Sequence, residues 1–102
     1  MQFVLIARDG SDPDAPARRR AVRPRHLAGI APLVDAGTIL LGGAILDDDG
    51  TMRGSVILAD FVSRDALDAW LRDDPYVTGD VCQQIEVAPF RVAVGSWMPE
   101  TT

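Results

Sequence analysis

Two side chains of this sequence have the types and spacing of an acid–base pair, Asp74 and His26. Asp74 follows Leu67 by seven residues and Leu71 by three, so the apolar spacing of a helix continues onto its carboxylate. That carboxylate should therefore point toward the interior. At the end of a helix it faces the negative end of the helix dipole, and it needs a hydrogen-bond donor. The chain has one imidazole to offer, that of His26.

His26 lies four residues before Ile30, on the same side of a predicted helix. If the helix that carries His26 lies beside the one that ends at Asp74, the imidazole can donate a hydrogen bond to the carboxylate. Such a bond fixes the tautomer and leaves the other ring nitrogen free to take up a proton, as a general base does. A lone histidine beside an apolar helix face is also a common structural residue, and both interpretations stay open at this point.

The composition is that of one small acidic domain. The 102 residues suffice for a single hydrophobic core, with 47% hydrophobic and 25% charged residues. A net charge of −5 argues against nucleic acid as the main partner, because phosphate contacts need an excess of positive charge. No apolar run approaches the roughly 20 residues of a membrane helix, and the N-terminus has the pattern of a strand rather than a signal peptide. We expect a cytoplasmic protein with no membrane partner.

The sequence offers little to a metal or a cofactor. Cys82 is the single cysteine, so an intrachain disulfide and a Cys-based metal site are excluded, and one histidine excludes a His-rich site. The acidic run 47–49 is followed at once by Gly50, without the ligand spacing of a calcium loop, and is interpreted as a polar turn. We interpret Cys82 as a small buried hydrophobe and expect no metal and no cofactor.

Four strands are predicted around these residues. Apolar and β-branched runs bounded by turn signals indicate strands over residues 3–8, 38–46, 55–61 and 84–94. The last is interrupted at Pro89, and Gly42-Gly43 is expected to form a bulge or bend in the second.

The first predicted helix covers residues 26–36, with Gly37 at its end. Its core-facing side is indicated by apolar residues at spacings of three and four, Leu27, Ile30 and Val34. Pro24 suits the first turn, whereas Pro32 should kink or break the helix. The arginine-rich residues 18–25 before it are interpreted as a solvated helix face and loop.

The second predicted helix begins at the capping residue Ser63 and stops before Pro75. Its buried stripe consists of Leu67, Trp70 and Leu71.

The predicted order, β-α-β-β-α-β, is the ferredoxin-like arrangement of the α+β class, a four-stranded antiparallel sheet with two helices on one face. We expect one such domain over residues 1–96 and a C-terminal tail over 97–102. The uncovered face of the sheet would expose apolar side chains, and the simplest partner for it is a second copy of the chain packed sheet to sheet. We therefore expect a homodimer.

Short motifs along nearly the whole chain, from residue 3 to about 94, resemble the YCII family. They are Arg19, Arg23-Pro24-x-His26-Leu27, Gly37, Gly54-Ser55, Ala69-Trp70, Asp73-Asp74-Pro75-Tyr76-Val77 and Val87-x-Pro89-Phe90. The resemblance implies a ferredoxin-like fold of the dimeric α+β barrel type, with a His/Asp active site in a cleft by the dimer interface. A few members of the family act as dehydrochlorinases or chloromuconolactone dehalogenases, and most have no settled reaction.

By this resemblance, individual residues acquire roles. His26 matches the family histidine and Asp74 the aspartate before the proline, which makes them the candidate catalytic residues. Arg23 and Ser55 match positions beside the pocket, and Tyr76 matches the aromatic residue after the proline, so these three are candidate substrate-binding residues.

The chain departs from the family pattern in one loop. Many relatives have Gly-Pro after the second strand, where this chain has Gly42-Gly43-Ala44, and that loop would line the pocket. The substrate therefore stays open.

Two functions fit these observations. The first is a cofactor-independent enzyme in which His26, oriented by Asp74, acts as general acid or base on a small anionic or carbonyl-bearing molecule. A lyase, isomerase or dehydrochlorinase-like reaction fits one base without a recognisable nucleophile. Arg23, or Arg19 one turn earlier, could then pair with an anionic ligand, because guanidinium binds carboxylates bidentately. The second is a non-catalytic dimeric module that binds a small molecule or another protein.

Overall fold

The computed structural model describes residues 1–96. Along this part of the chain the elements are β1 (Gln2–Asp9), α1 (Ala15–Asp35), β2 (Ile39–Leu46), β3 (Met52–Asp60), α2 (Arg64–Asp73), α3 (Pro75–Thr78) and β4 (Cys82–Pro89). The strands form one antiparallel sheet in the order β2-β3-β1-β4. This is the ferredoxin-like α+β fold predicted from the sequence. The predicted tail over 97–102 lies outside the described residues.

The two central strands carry an alternating pattern that defines a core face. The buried residues are Phe3, Leu5 and Ala7 in β1 and Ser55, Ile57 and Ala59 in β3. They lie opposite one another in the register of the two strands, and alternate residues of a strand point to the same face. At one end of the sheet this pattern carries two polar residues, Ser55 and Asp9, onto the side that the helices cover.

The first helix begins much earlier than predicted. α1 has 21 residues and begins at Ala15, with Pro16 in its first turn, where a missing N–H costs nothing. Pro24 and Pro32 both lie inside it, on exposed positions. The predictions that Pro24 opens the helix and that residues 18–25 are partly loop were therefore wrong, and His26 lies in the middle of the helix rather than at its start.

The face that α1 turns to the sheet also differs from the prediction. Its buried residues are Ala15, Arg19, Val22 and His26. Leu27 and Val34, from the stripe expected to face the core, are 42% and 48% exposed. The spacing of apolar residues does not reveal this face, because two of its buried residues, Arg19 and His26, are polar and are buried together with their hydrogen-bond partners. Neither α1 nor any other helix of residues 1–96 combines the length and the hydrophobicity needed to cross a membrane.

The second helix agrees with its prediction, and a short third one follows it. Ser63 caps α2, its Oγ accepting a hydrogen bond from the Ala66 amide at 3.1 Å. Leu67 is fully buried, with Trp70 and Leu71 partly buried against the same core. The segment after Asp74, for which no helix is predicted, is the four-residue helix α3.

The edge strands differ from the prediction in detail. The register of β2 against β3 shifts between Ile39 and Leu41 and again between Ile45 and Leu46, so the irregularities flank Gly42-Gly43 instead of coinciding with it. β4 begins two residues earlier than predicted and ends at Pro89, without a strand over residues 90–94.

Gly54 of β3 has no room for a side chain. A methyl group there would collide with the carbonyl oxygen of Ala7, a backbone atom held within the sheet. We expect Gly54→Ala to lower the free energy of unfolding, measured by urea denaturation, by about 1–3 kcal/mol. Gly43→Ala in β2 is the matched control, because nothing lies within 4 Å of its added methyl group. An equal loss in both variants would show that the close contact is not the cause.

Candidate active site

A histidine and an aspartate that lie 48 residues apart in the chain form a buried pair. His26 Nδ1 lies 2.9 Å from Oδ1 and 3.0 Å from Oδ2 of Asp74. The two residues are only 6% and 5% exposed. An ionised carboxylate has no proton to donate, so Nδ1 carries the proton and donates. In the neutral imidazole this leaves Nε2 as the unprotonated nitrogen.

The local sequence around Asp74 explains how its carboxylate is placed. Pro75 disfavours a helical conformation for the residue before it, and Asp74 is extended at φ −65° and ψ 134°, which ends α2. The same residue caps α3, since its Oδ2 accepts a hydrogen bond from the Tyr76 amide at 3.1 Å. The backbone of Asp74 therefore ends one helix, while its carboxylate caps the next and holds His26.

Tyr76 lies flat against the imidazole. The ring centres of His26 and Tyr76 are 3.9 Å apart at an interplanar angle of 14°, and the guanidinium carbon of Arg19 lies 4.6 Å from the Tyr76 ring centre. Burial raises the pKa of the Tyr76 hydroxyl, against the opposing effect of the positive charges of Arg19 and Arg23. The phenol is thus protonated at neutral pH and can act as a hydrogen-bond donor.

Arg19 is the centre of a second buried group of polar residues. Its Nη1 donates to both carboxylate oxygens of Asp9, at 2.9 and 3.0 Å. Its Nη2 donates to Ser55 Oγ at 2.7 Å. The guanidinium that was considered as a possible partner of an anionic ligand is therefore engaged by Asp9 and Ser55. Because Ser55 accepts from Arg19, its own hydroxyl proton is available to a ligand.

Asp9 was not among the predicted site residues, although a signal for it exists. It continues the alternation of Phe3, Leu5 and Ala7 in β1, so its side chain falls on the core face. The predicted strand was ended at Arg8 because the following Asp-Gly pair is a turn signal. A carboxylate in phase with a buried strand pattern indicates a buried ion pair.

A cavity of about 340 Å³ adjoins both polar groups, between α1 and β2. Five polar side chains line part of it, Arg19, Arg23, His26, Ser55 and Tyr76. Leu27, Ile30 and Val34 of α1 form apolar wall, which explains the unexpected exposure of that stripe. Gly42-Gly43-Ala44 also lines the cavity. The structure thus brings His26, Arg23, Ser55 and Tyr76 together around one space, with Asp74 behind His26.

Other parts of the described chain are less suited to chemistry. A larger open depression of about 710 Å³ near Arg18 and Gln84 contains neither His26 nor Asp74. Burial raises the pKa of the Cys82 thiol to about 11, with a further contribution from the carboxylates of Asp9 and Asp74, so it is a poor nucleophile at neutral pH. Within residues 1–96 no group of three or more His, Cys, Asp or Glu side chains is arranged to hold a metal ion.

With this fold and site, the chain belongs to the YCII-related domain family, whose sequence profile matches residues 1–91. Among its relatives is the protein YciI of Escherichia coli, which is 36% identical over 97 residues, covering 89% of this chain and 97% of that protein. An uncharacterized protein of Haemophilus influenzae is 32% identical over 97 residues, which again cover 89% of this chain and 97% of that protein.

Solved structures with the same fold include two informative ones. The 5-chloro-2-hydroxyhydroquinone dehydrochlorinase of Burkholderia phenoliruptrix, in complex with 2,5-dihydroxybenzoquinone, matches with a TM-score of 0.79 and 24% identity over 91% of this chain and 96% of that one. A dimeric ferredoxin-like protein of unknown function from Jannaschia matches with a TM-score of 0.53 and 17% identity, over 89% of this chain and 98% of that one. At these identities the likeness shows the shared fold.

The single histidine makes its tautomer directly measurable by ¹⁵N NMR in protein without a histidine tag. We expect long-range ¹H–¹⁵N correlations of the neutral imidazole to show Nδ1 protonated and Nε2 unprotonated, because Asp74 accepts from Nδ1. In Asp74→Ala this preference should be lost. Asp73→Ala, which removes the neighbouring exposed carboxylate, is the control and should keep it. A wild-type spectrum with the proton on Nε2 would contradict the pairing.

Proposed function

We propose that this protein is an enzyme that transfers a proton on a small carbonyl-bearing or anionic molecule, with His26 as its general base. The observation that supports this most directly is the state of the imidazole. Nδ1 is held by the buried carboxylate of Asp74, Nε2 has no hydrogen-bond partner within residues 1–96, and His26 lines the cavity of about 340 Å³. A base that is oriented on one side and open to a cavity on the other can abstract a proton from a bound molecule.

The chemistry can be written with this chain's own residues. Nε2 of His26 takes a proton from a carbon next to a carbonyl group, and the electron pair of the broken C–H bond forms an enolate. The carboxylate of Asp74 stabilises the imidazolium that results. The enolate oxygen can accept hydrogen bonds from the hydroxyl groups of Ser55 and Tyr76.

The reaction can then end in two ways. In an isomerisation, His26 returns the proton to a different carbon. In an elimination, the electron pair of the enolate expels a leaving group such as chloride from the carbon beta to the carbonyl group. A chlorinated hydroxyhydroquinone can enter this step through its keto tautomer. In both cases Arg23, which lines the cavity, can neutralise an anionic group of the substrate.

The shape of the cavity supports a compact substrate. Its volume of about 340 Å³ and its apolar wall suit a single ring with oxygen substituents at the polar end. The Burkholderia dehydrochlorinase was solved with 2,5-dihydroxybenzoquinone, a ring of this kind. That shared fold makes chlorinated hydroxyhydroquinones and hydroxyquinones the first compounds to assay.

We expect the wild-type protein to release chloride from 5-chloro-2-hydroxyhydroquinone, or to exchange carbon-bound hydrogen of a small keto acid for deuterium in D₂O. His26→Asn should lower the rate about 10²–10⁴-fold, because it removes the base. Asp74→Asn should lower it less, since the imidazole remains. Arg64→Ala, an exposed change on α2, is the control and should leave the rate unchanged.

Two results would count against this function. Unchanged turnover in His26→Asn would exclude His26 as the base. A compound that binds saturably in the cavity and is recovered unchanged, without deuterium, would favour the alternative of a non-catalytic binding module.

We also propose that the protein acts as a homodimer, formed through the face of the sheet that the helices leave open. On this face β1 and β3 present half-buried apolar residues, Val4, Ile6, Val56 and Leu58. An apolar surface of this kind is typical of an interface. The dimeric ferredoxin-like protein from Jannaschia shares the fold.

Sedimentation should therefore give about twice the 11.0 kDa mass of one chain. Val56→Asp should shift the equilibrium toward the single chain, because it places a charge in the buried interface. Asp60→Ala, an exposed change at the end of the same strand, serves as the control. A wild-type mass near 11.0 kDa would contradict the dimer.

A further inference from the structure

A second cavity of about 350 Å³ adjoins the one that contains His26. The two cavities are lined in common by Arg19 and Arg23. Arg20 of α1 and Thr51 of the turn between β2 and β3 complete the polar lining of the second, which includes no carboxylate. We call this space, lined by Arg19, Arg20 and Arg23, the arginine cavity.

Two of the three charges of the arginine cavity, those of Arg20 and Arg23, are not neutralised within residues 1–96, whereas Arg19 is paired with Asp9. Four ion pairs of the described chain involve arginines, namely Arg18, Arg19, Arg53 and Arg64. Arg20 and Arg23 take part in no ion pair or side-chain hydrogen bond within residues 1–96. They lie within one turn of α1, where like charges repel. In a chain with a net charge of −5, two such cations beside one cavity are suited to an external anion.

Arg19 supplies a second, independent observation. It is 3% exposed, and its Nε is the buried side-chain polar atom without a hydrogen-bond partner in the described part of the chain. Its two terminal nitrogens are occupied by Asp9 and Ser55, so the guanidinium is held in place. A buried donor without an acceptor is unusual in a folded protein, and it leaves the guanidinium of Arg19, a residue that lines the cavity, incompletely hydrogen-bonded.

We propose that the arginine cavity binds an oxyanion, a carboxylate or a phosphate, carried by the substrate whose reactive carbon lies at His26. The planar guanidinium groups of Arg20 and Arg23 match the paired oxygens of such an anion. This inference rests on the proposed function and deepens it, because it divides the substrate into a compact carbonyl-bearing part in the first cavity and an anionic part in the second. It also adds Arg20, which has no predicted role, to the binding residues.

The test is a titration of ¹⁵N-labelled protein with inorganic phosphate, and separately with acetate, at an ionic strength held constant with sodium chloride. We expect saturable shifts of the amide signals of Arg20, Arg23 and Thr51. Arg20→Ala and Arg23→Ala should each weaken the affinity about tenfold, a loss of about 1.4 kcal/mol. Arg25→Ala is the matched control, since it removes an exposed arginine of the same helix that lines neither cavity.

The possible outcomes test the anion-binding site separately from the proposed catalytic role of His26. Binding of either anion with this dependence on Arg20 and Arg23 supports the site, and the tighter anion identifies the group that the substrate carries. His26→Asn should bind the anion as the wild type does, so loss of turnover in that variant leaves the site intact. Absence of saturable shifts, or an equal loss of affinity in Arg25→Ala, would overturn the proposal even if His26 proves catalytic.

Discussion

The position of α1 on the sheet depends on two buried carboxylates, each of which accepts a hydrogen bond from a side chain of this helix. Asp9 accepts from Arg19, and Asp74 accepts from His26, about two helical turns further along. A guanidinium buried without its counter-ion would be strongly unfavourable, and removing one partner of such a pair costs more than the pair itself contributes. Between these two contacts Val22 supplies the apolar packing. Arg19 and His26, which hold the helix through these contacts, therefore also line the cavity.

The sequence was sufficient to predict the order of the strands and main helices along the chain. It was also sufficient to predict that the carboxylate of Asp74 points toward the interior. The apolar spacing from Leu67 onward continues to the carboxylate, and the proline after it marks where α2 ends. His26 was expected beside Asp74 but on the wrong grounds, since it was placed on the stripe with Leu27 and Ile30. In the structure it shares its face with Arg19 and Val22.

The remaining differences have three physical origins, and the first is that hydrophilic residues are expected to face solvent. Arg19 and Asp9 are each hydrophilic alone and are buried because each is the other's partner, which no local pattern of hydrophobicity reveals. The second origin concerns the apolar stripe of Leu27, Ile30 and Val34. Its spacing along α1 predicts a core face, but the wall of a cavity has the same spacing. Third, the helix α3, with four residues, is too short for any periodic signal.

The triple engagement of Asp74 has a consequence for the motions of the protein. One carboxylate caps α3 and also bonds His26, while Tyr76 of α3 stacks on the imidazole, so all three contacts depend on α3 being formed. Opening of the short helix would release the histidine, its orienting partner and its stacked ring in a single local unfolding event. Assembly of the site therefore requires a formed α3, and amide hydrogen exchange in α3 measures how often the site comes apart by this route.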